Sequence, residues 1–260
     1  MRRDREEVGG SPFTVCRLVA VHGSQLSDAV LKIAKVRKAY GGGLRPLRVN
    51  DLSIGAGERV ALSGLDAGAA EVLVNLVTGA SVPDEGDVLV LGRSTASISD
   101  GDEWLTWLDR FGIVSPRAVL LDAATLLQNL AMPITLDIEP VKPDVAATVT
   151  EMARAAGIED QWLDRPIAAL DAAVQIRAHL VRAIALSPSL LILEHPTARL
   201  AAGDGKAFGE IVASVAGARA LATLIISQDE AFSTAAATRR LILEPATGNL
   251  KPARKRLFGF

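Results

Sequence analysis

Residues 64–72 form a loop of small side chains between an apolar strand and an apolar helix, the setting of a phosphate-binding loop. Such a loop needs small residues so that backbone N–H groups can face the anion. It also needs a lysine that reaches the outer phosphates and a Ser or Thr that binds magnesium. Counted from Gly64, Ala70 stands at the lysine position and Glu71 at the hydroxyl position. The alternative interpretation is an ordinary strand-to-helix turn.

A second group of residues with possible chemistry lies at the end of an apolar run. Residues 190–193 are fully apolar, and they are followed directly by Glu194 and His195. Glu194 could hold a divalent cation jointly with Glu71, because carboxylates are preferred ligands of such ions. His195 could act as a general base, because a histidine titrates near neutral pH. No metal-ligand spacing links the three histidines of the chain.

The elements that would position these residues alternate between strand and helix. Strand patterns occupy residues 31–36, 49–54, 59–63, 87–91, 190–193 and 222–227, and helix patterns occupy residues 72–77, 170–186 and 206–216. The region from about 100 to 180 has a mostly helical pattern. This alternation predicts an α/β fold around a mainly parallel sheet.

Composition excludes several classes of function. The chain has 260 residues, which fits one large domain or one domain with an inserted subdomain. Its 28 basic and 30 acidic residues nearly cancel, so we expect no nucleic acid partner. The single cysteine, Cys16, cannot form an internal disulfide and fits a reducing compartment. The sequence shows no membrane-spanning segment and no signal peptide, which predicts a cytoplasmic protein.

The order of the motifs resembles that of the ATP-binding subunits of ABC transporters. In that family a signature segment, Leu-Ser-Gly-Gly-Gln, precedes a helix ending in Arg-Ala, then a proline, four apolar residues, and Asp, Glu, Pro and Thr. The residues that match this order are Leu170, Gln175, Arg177, Arg182, Ala183, Pro188, Pro196 and Thr197. Residues 86–92, 111–129, 224–229 and 242–248 resemble further segments of the family, so the resemblance runs from about residue 31 to residue 250.

The resemblance implies a fold and a domain organisation. The expected fold is an α/β, RecA-like P-loop NTPase core of ABC type with an inserted helical subdomain, at about residues 117–178, and a small antiparallel β edge. Residues 31–250 would be the nucleotide-binding domain. Residues 1–30 would be an N-terminal extension without an assigned role, and residues 251–260 a basic C-terminal tail.

The resemblance also assigns positions to the site. The positions that would bind nucleotide are Tyr40, where the family stacks an aromatic ring on adenine, and the loop residues Gly64, Gly68, Ala69, Ala70, Glu71 and Val72. The positions that match the family's catalytic residues are Pro116 for the glutamine, Glu194 for the Walker B aspartate, His195 for the catalytic glutamate and Gln228 for the switch histidine. The signature segment is matched by Leu170, Asp171, Ala172, Ala173 and Val174.

Several of these replacements oppose ATP binding. Without a lysine the outer phosphates lose their closest cation, and Glu71 would place a like charge beside them. A carboxylate at a helix N-terminus gains about 0.3–1 kcal/mol from the helix dipole, so we hypothesise that Glu71 fills the site in place of phosphate. Family members pair head to tail with ATP between the loop of one chain and the signature of the other. Asp171 would then place a negative charge against phosphate.

Three functions remain open. The first is a degenerate, non-hydrolysing ATP-binding subunit with a structural or regulatory role, docked on a membrane permease at the inner face of a membrane or paired in a dimer with a second ABC ATP-binding chain. The second is a diverged but active ABC ATPase that energises transport with Glu194, His195 and Gln228 in changed roles. The third is a soluble pseudo-ATPase scaffold without a transporter. The replacements fall on every motif and favour the first, with ATP a doubtful ligand and Mg²⁺ expected only together with ATP.

Overall fold

The computed structural model describes residues 29–41 and 43–253. Cys16 and residues 1–28 of the expected N-terminal extension lie outside the described residues, as do residues 254–260 of the expected basic tail. No helix in the described part of the chain is both long and apolar enough to cross a membrane.

Ten strands and seven α-helices make up the described residues. The strands are β1 Ala29–Lys38, β2 Leu47–Gly55, β3 Arg59–Ser63, β4 Glu85–Val90, β5 Arg93–Ser94, β6 Phe111–Val114, β7 Leu190–Glu194, β8 Ala222–Ile226, β9 Arg239–Glu244 and β10 Asn249–Pro252. The α-helices are α1 Ala67–Thr78, α2 Gly101–Leu108, α3 Leu126–Ala131, α4 Pro143–Ala155, α5 Ala172–Ile184, α6 Asp204–Ala218 and α7 Glu230–Ala236.

A six-stranded sheet forms the centre of the fold, with strand order β10-β9-β3-β8-β7-β6. The pairs β9-β3, β3-β8, β8-β7 and β7-β6 are parallel, and only β10 runs antiparallel to its neighbour. All five residues of β7 and of β8 are buried, as expected for parallel strands covered on both faces. Their apolar runs are the reason that both strands are recognisable in the sequence.

Strand β6 lies in the region where the sequence predicts mostly helix. Its four residues are too few to establish a strand periodicity, and its sheet neighbour β7 lies far along the chain. Gly112 in the middle of β6 is required by packing, because a Cβ atom there would lie 2.2 Å from the carbonyl oxygen of Ala183 on α5. The strand forms because β7 offers it a parallel edge.

A second sheet of four antiparallel strands, in the order β2-β1-β4-β5, packs beside the first. It is larger than the small antiparallel edge that the resemblance implies, since β1 has ten residues and β2 has nine. Buried and exposed residues largely alternate along β2, so one face of this sheet joins the core cluster that includes α1 and β3.

A separate core cluster holds the helices of the inserted region together. Its buried members run from Leu120 to Val181 and come from α3, α4, α5 and the turns between them. Leu170 and Val174 belong to this cluster, so the signature segment is built on the helical part of the molecule. The link from the six-stranded sheet to these helices is the segment of residues 115–124, which follows β6 and precedes α3.

Candidate functional site

The loop after β3 is shorter than a phosphate-binding loop needs to be. Helix α1 begins at Ala67, five residues before the start of the helix pattern in the sequence, because Asp66 caps it. The Asp66 carboxylate accepts the Ala69 N–H at 2.8 Å, and the Asp66 carbonyl accepts the Ala70 N–H at 2.9 Å. Two of the N–H groups that would face a bound phosphate are therefore already used by the helix itself.

Gly64 at the start of the loop is fixed by a close backbone approach. Its φ is +92°, a conformation that favours glycine, and an added Cβ atom would lie 2.4 Å from the carbonyl oxygen of Leu243. From the other side, Gln228 donates a hydrogen bond from Nε2 to the Leu65 carbonyl at 2.8 Å. Gln228, at the position of the family's switch histidine, thus ties the end of β8 to this loop.

The centre of the site is a chain of three charged side chains. The guanidinium of Arg117 lies 3.0 Å from a carboxylate oxygen of Glu71 and 2.7 Å from one of Glu194. Glu71 belongs to the first turns of α1, and Glu194 ends β7, so one cation joins two elements of the core. The side chain of Glu194 is 4% exposed, whereas those of Glu71 and Arg117 are 52% and 44% exposed.

The parallel pairing of β6 with β7 explains why these groups meet. Val114 lies opposite Leu193 in the sheet, so Ser115 and Glu194 leave the carboxyl ends of adjacent strands side by side. The Ser115 hydroxyl donates to the Glu194 carboxylate at 2.8 Å and accepts the Arg117 N–H at 3.2 Å. The sheet register and one turn thereby place Ser115, Arg117 and Glu194, whereas Glu71 comes from α1.

Glu71 and Glu194, suggested as a joint cation site, both contact the guanidinium of Arg117 in this structure. That they hold a divalent cation stays a prediction. In the described part of the chain, no group of three or more His, Cys, Asp or Glu side chains is arranged to hold a metal ion.

His195 lines a small cavity of about 40 Å³. Its φ is +41°, a strained value for a residue with a side chain, and its backbone N–H bonds the Ile226 carbonyl at 2.8 Å. Its Nε2 atom is buried and has no hydrogen-bond partner among the described residues. Pro116 and His179 line the same cavity. Burial, then the charges of Arg182 and Arg199, lower the pKa of His179 to about 4.

Tyr40 lies beside Gly68 in the first turn of α1. Its ring is 3.5 Å from the position that a Cβ atom on Gly68 would occupy. With Arg45, Arg48 and Asp66 it lines a pocket of about 360 Å³. Partial burial, and then the nearby charge of Asp66, raise the pKa of the Tyr40 hydroxyl.

The signature segment carries its own carboxylate at a helix N-terminus. Asp171 is the N-cap of α5, and its carboxylate accepts the Val174 N–H at 2.8 Å. Gln175 Nε2 donates to the Leu170 carbonyl at 2.9 Å, which fixes the turn before the helix. Ala172 and Ala173 are half-buried in the first turn. This N-terminus therefore presents a negative side chain where the dipole would otherwise favour an external anion.

The structure brings the loop residues, Gln228, Glu194 and Tyr40 together around one end of α1. It also adds Arg117, which the sequence analysis missed. In the resemblance to the family, Pro116 takes the position of the glutamine, and the next residue, Arg117, corresponds to no functional position. The available signal was its charge, since a basic residue beside the site could pair with the unusual carboxylate of Glu71.

Comparison with known proteins gives a consistent set of similarities. The profile of the ABC transporter family matches residues 47–198. The chain is 25% identical over 219 residues to the lipoprotein-releasing system ATP-binding protein LolD of Psychrobacter arcticus, covering 83% of this chain and 96% of that protein. It is 32% identical over 178 residues to LolD of Anaeromyxobacter dehalogenans, covering 67% of this chain and 74% of that protein.

Solved structures show the same architecture. A dimeric post-hydrolysis state of the ATP-binding cassette MJ0796, bound to ADP and Pi, superposes with a TM-score of 0.69 at 19% identity, covering 86% of this chain and 99% of that one. The structure of cbiO1 from Clostridium perfringens, part of the transporter complex cbiONQ, also gives a TM-score of 0.69, at 20% identity, covering 86% of this chain and 87% of that one. The similarity to these ABC ATPase structures confirms the predicted RecA-like fold with an inserted helical subdomain.

Proposed function

The chain belongs to the ABC transporter family, and from this premise we propose that it is an ATP-binding subunit that has lost nucleotide binding and hydrolysis. Its role is then structural or regulatory within a transporter assembly. The observation that carries the proposal is the position of the Arg117 guanidinium between Glu71 and Glu194. The site supplies both its cation and its anions from the chain itself.

Magnesium is the first part of the expected ligand that the residues do not fit. The position that should offer a hydroxyl to magnesium holds Glu71, and the Glu194 carboxylate is already bound by Ser115 and Arg117. A dication placed between these carboxylates would meet the guanidinium, and two like charges at such short range repel strongly in a partly buried site.

The phosphates are the second part that the residues do not fit. Ala70 supplies no positive charge, and the Ala69 and Ala70 N–H groups bond within α1. A polyphosphate at this helix end would approach the carboxylates of Asp66 and Glu71. Each of these features opposes an anion, and none of them is offset by a free lysine in the loop.

The likeness to transporter subunits supports the proposed setting. Two relatives are ATP-binding proteins of lipoprotein-releasing systems, and one structural neighbour is part of the ABC transporter complex cbiONQ. In the segment of residues 115–124, the side chain of Val119 is 71% exposed, and that of Leu136 after α3 is 90% exposed. We propose that these exposed apolar side chains contact a membrane permease at the cytoplasmic side, and that the chain pairs with a second ABC ATP-binding chain.

The experiment that tests the proposal restores the lost groups. We compare wild type with the triple variant Ala70→Lys, Glu71→Ser and Arg117→Ala for Mg·ATP binding and for phosphate release. The triple variant should gain binding but not turnover, because Pro116, His195 and Gln228 remain. Wild type should do neither.

Two results would count against the proposal. Phosphate release by wild type above a no-protein blank would show an active ATPase. A folded triple variant that still fails to bind would show that these three residues are not the cause of the loss.

A further inference from the structure

The segment of residues 115–124 is the first connection between the six-stranded sheet and the helical part of the molecule. We propose that Arg117 is a latch on this segment, which fixes the helical subdomain against the sheet core without any nucleotide. The inference goes beyond the loss of ATP binding, because it concerns where the helical subdomain is held. It depends on the contacts of the segment and not on the chemistry of hydrolysis.

At its sheet end the segment is fastened by Arg117. The guanidinium bonds the Glu194 carboxylate of β7 and the Glu71 carboxylate of α1. The ion pair with Glu194 is the more rigid of the two, because the Glu194 carboxylate is buried and also accepts a hydrogen bond from the Ser115 hydroxyl. The Glu71 side is half-exposed and contributes less, because water screens it.

At its helical end the segment is fastened by Asn129. This residue is fully buried in α3, and its side-chain amide accepts the Leu121 N–H at 2.8 Å and donates to the Leu121 carbonyl at 3.1 Å. Between the two ends, Arg182 of α5 donates to the Val119 carbonyl at 2.7 Å. The segment is therefore held at both ends and in its middle, and among these contacts the ion pairs of Arg117 are the charged link to the sheet core.

The consequence is a fixed orientation of the helical subdomain. In a chain whose linker contacted a bound ligand, the position of the linker would change when that ligand left. Here the ligand's place is taken by a side chain that never leaves, so the linker has one bound state. A partner that docks on the helical subdomain would then meet the same surface at all times.

Distance measurement between two spin labels tests this directly. Labels are attached at Glu151→Cys on α4 and Asp51→Cys on β2, two exposed positions, in a Cys16→Ser background. Wild type should give one narrow distance distribution, and Arg117→Ala should broaden it or add a second distance. Arg117→Lys keeps the positive charge but lacks the two N–H groups that reach Glu71 and Glu194, so its distance distribution should have an intermediate width. Arg154→Ala, which breaks the exposed ion pair with Asp160 inside the subdomain, is the matched control and should leave the distribution narrow.

Hydrogen exchange gives a second readout that needs no label. Amides of residues 117–124 should exchange at least about fivefold faster in Arg117→Ala, the change that a loss of about 1 kcal/mol produces. Amides of β7 and β8 exchange through global unfolding and should speed up only by the loss of stability measured in urea, whereas residues 117–124 should exchange through a local opening that urea unfolding does not report. Circular dichroism checks that the variant is folded.

A folded Arg117→Ala protein with the wild-type distance distribution and wild-type exchange would overturn the latch. So would a broad distribution in wild type. Adding Mg·ATP to wild type should change nothing, and a shift on that addition would contradict the proposed loss of nucleotide binding while leaving the Arg117 comparison to decide the latch by itself.

Discussion

Replacing Arg117 by alanine should destabilise the fold much more than replacing Glu71 by glutamine, although both residues belong to one chain of ion pairs. The reason is the unequal burial of the two carboxylates. Glu194 is 4% exposed and loses the guanidinium with which it pairs, whereas Glu71 is 52% exposed and is solvated by water once the pair is broken.

The size of the effect follows from these contacts. Breaking a buried ion pair from one side costs about 3–5 kcal/mol. Here the Ser115 hydroxyl still donates to Glu194, and Arg117 is itself 44% exposed, so we expect about 1–3 kcal/mol for Arg117→Ala. The exposed pair lost in Glu71→Gln should cost less than about 1 kcal/mol.

Urea unfolding followed by circular dichroism measures both variants and completes a double-mutant cycle with Glu194→Gln. In the Arg117→Ala background, Glu194→Gln should recover part of the lost stability, since no buried charge is then left unpaired. A coupling of at least about 1 kcal/mol is expected between Arg117 and Glu194. Equal losses for Arg117→Ala and Glu71→Gln, or a coupling near zero, would refute this reasoning.

Three further predictions concern cations, the loop and pH. Arg117→Ala should bind Mn²⁺, detected by electron paramagnetic resonance, because it leaves the oxygens of Glu71 and Glu194 without a cation, whereas wild type should not bind it. Gly64→Ala should lower the free energy of unfolding by more than about 2 kcal/mol, because Gly64 has a positive φ and an added Cβ atom would lie too close to Leu243. Gly43→Ala is the control and should cost less, because Gly43 has a similar φ but no neighbour within 4 Å of an added Cβ atom. Equal losses would show that the close approach does not matter. The unfolded chain binds a proton on His179 below about pH 6.5 and the folded chain only near pH 4, so stability should fall as pH drops through that interval, and His179→Asn should reduce the slope measured by urea titrations.

The elements that the sequence identifies best are those whose burial is uniform. Strands β7 and β8 appear as apolar runs, and their predicted bounds differ from the structure by one residue each. The apolar pattern predicts that α1 starts at residue 72, but the Asp66 cap sets its start at Ala67. A cap is one residue with a hydrogen bond, and it carries no periodicity.

Some residues of the candidate site can be located from the sequence and others cannot. Positions fixed by motif order, such as Glu194 and Gln228, could be located from the sequence because each follows a recognisable strand. The partner of Glu194 could not, because Arg117 is 77 residues away and reaches it only through the pairing of β6 with β7. The hypothesis that Glu71 stands in place of phosphate stays a prediction, and the structure adds the cation with which Glu71 pairs.

Calorimetric titration of purified wild-type protein with Mg·ATP tests the central claim most directly. We predict no binding heat up to millimolar ATP, because Arg117 pairs with Glu71 and Glu194, and Asp66 accepts the Ala69 N–H at the start of α1. Binding of Mg·ATP with a micromolar dissociation constant would contradict the account.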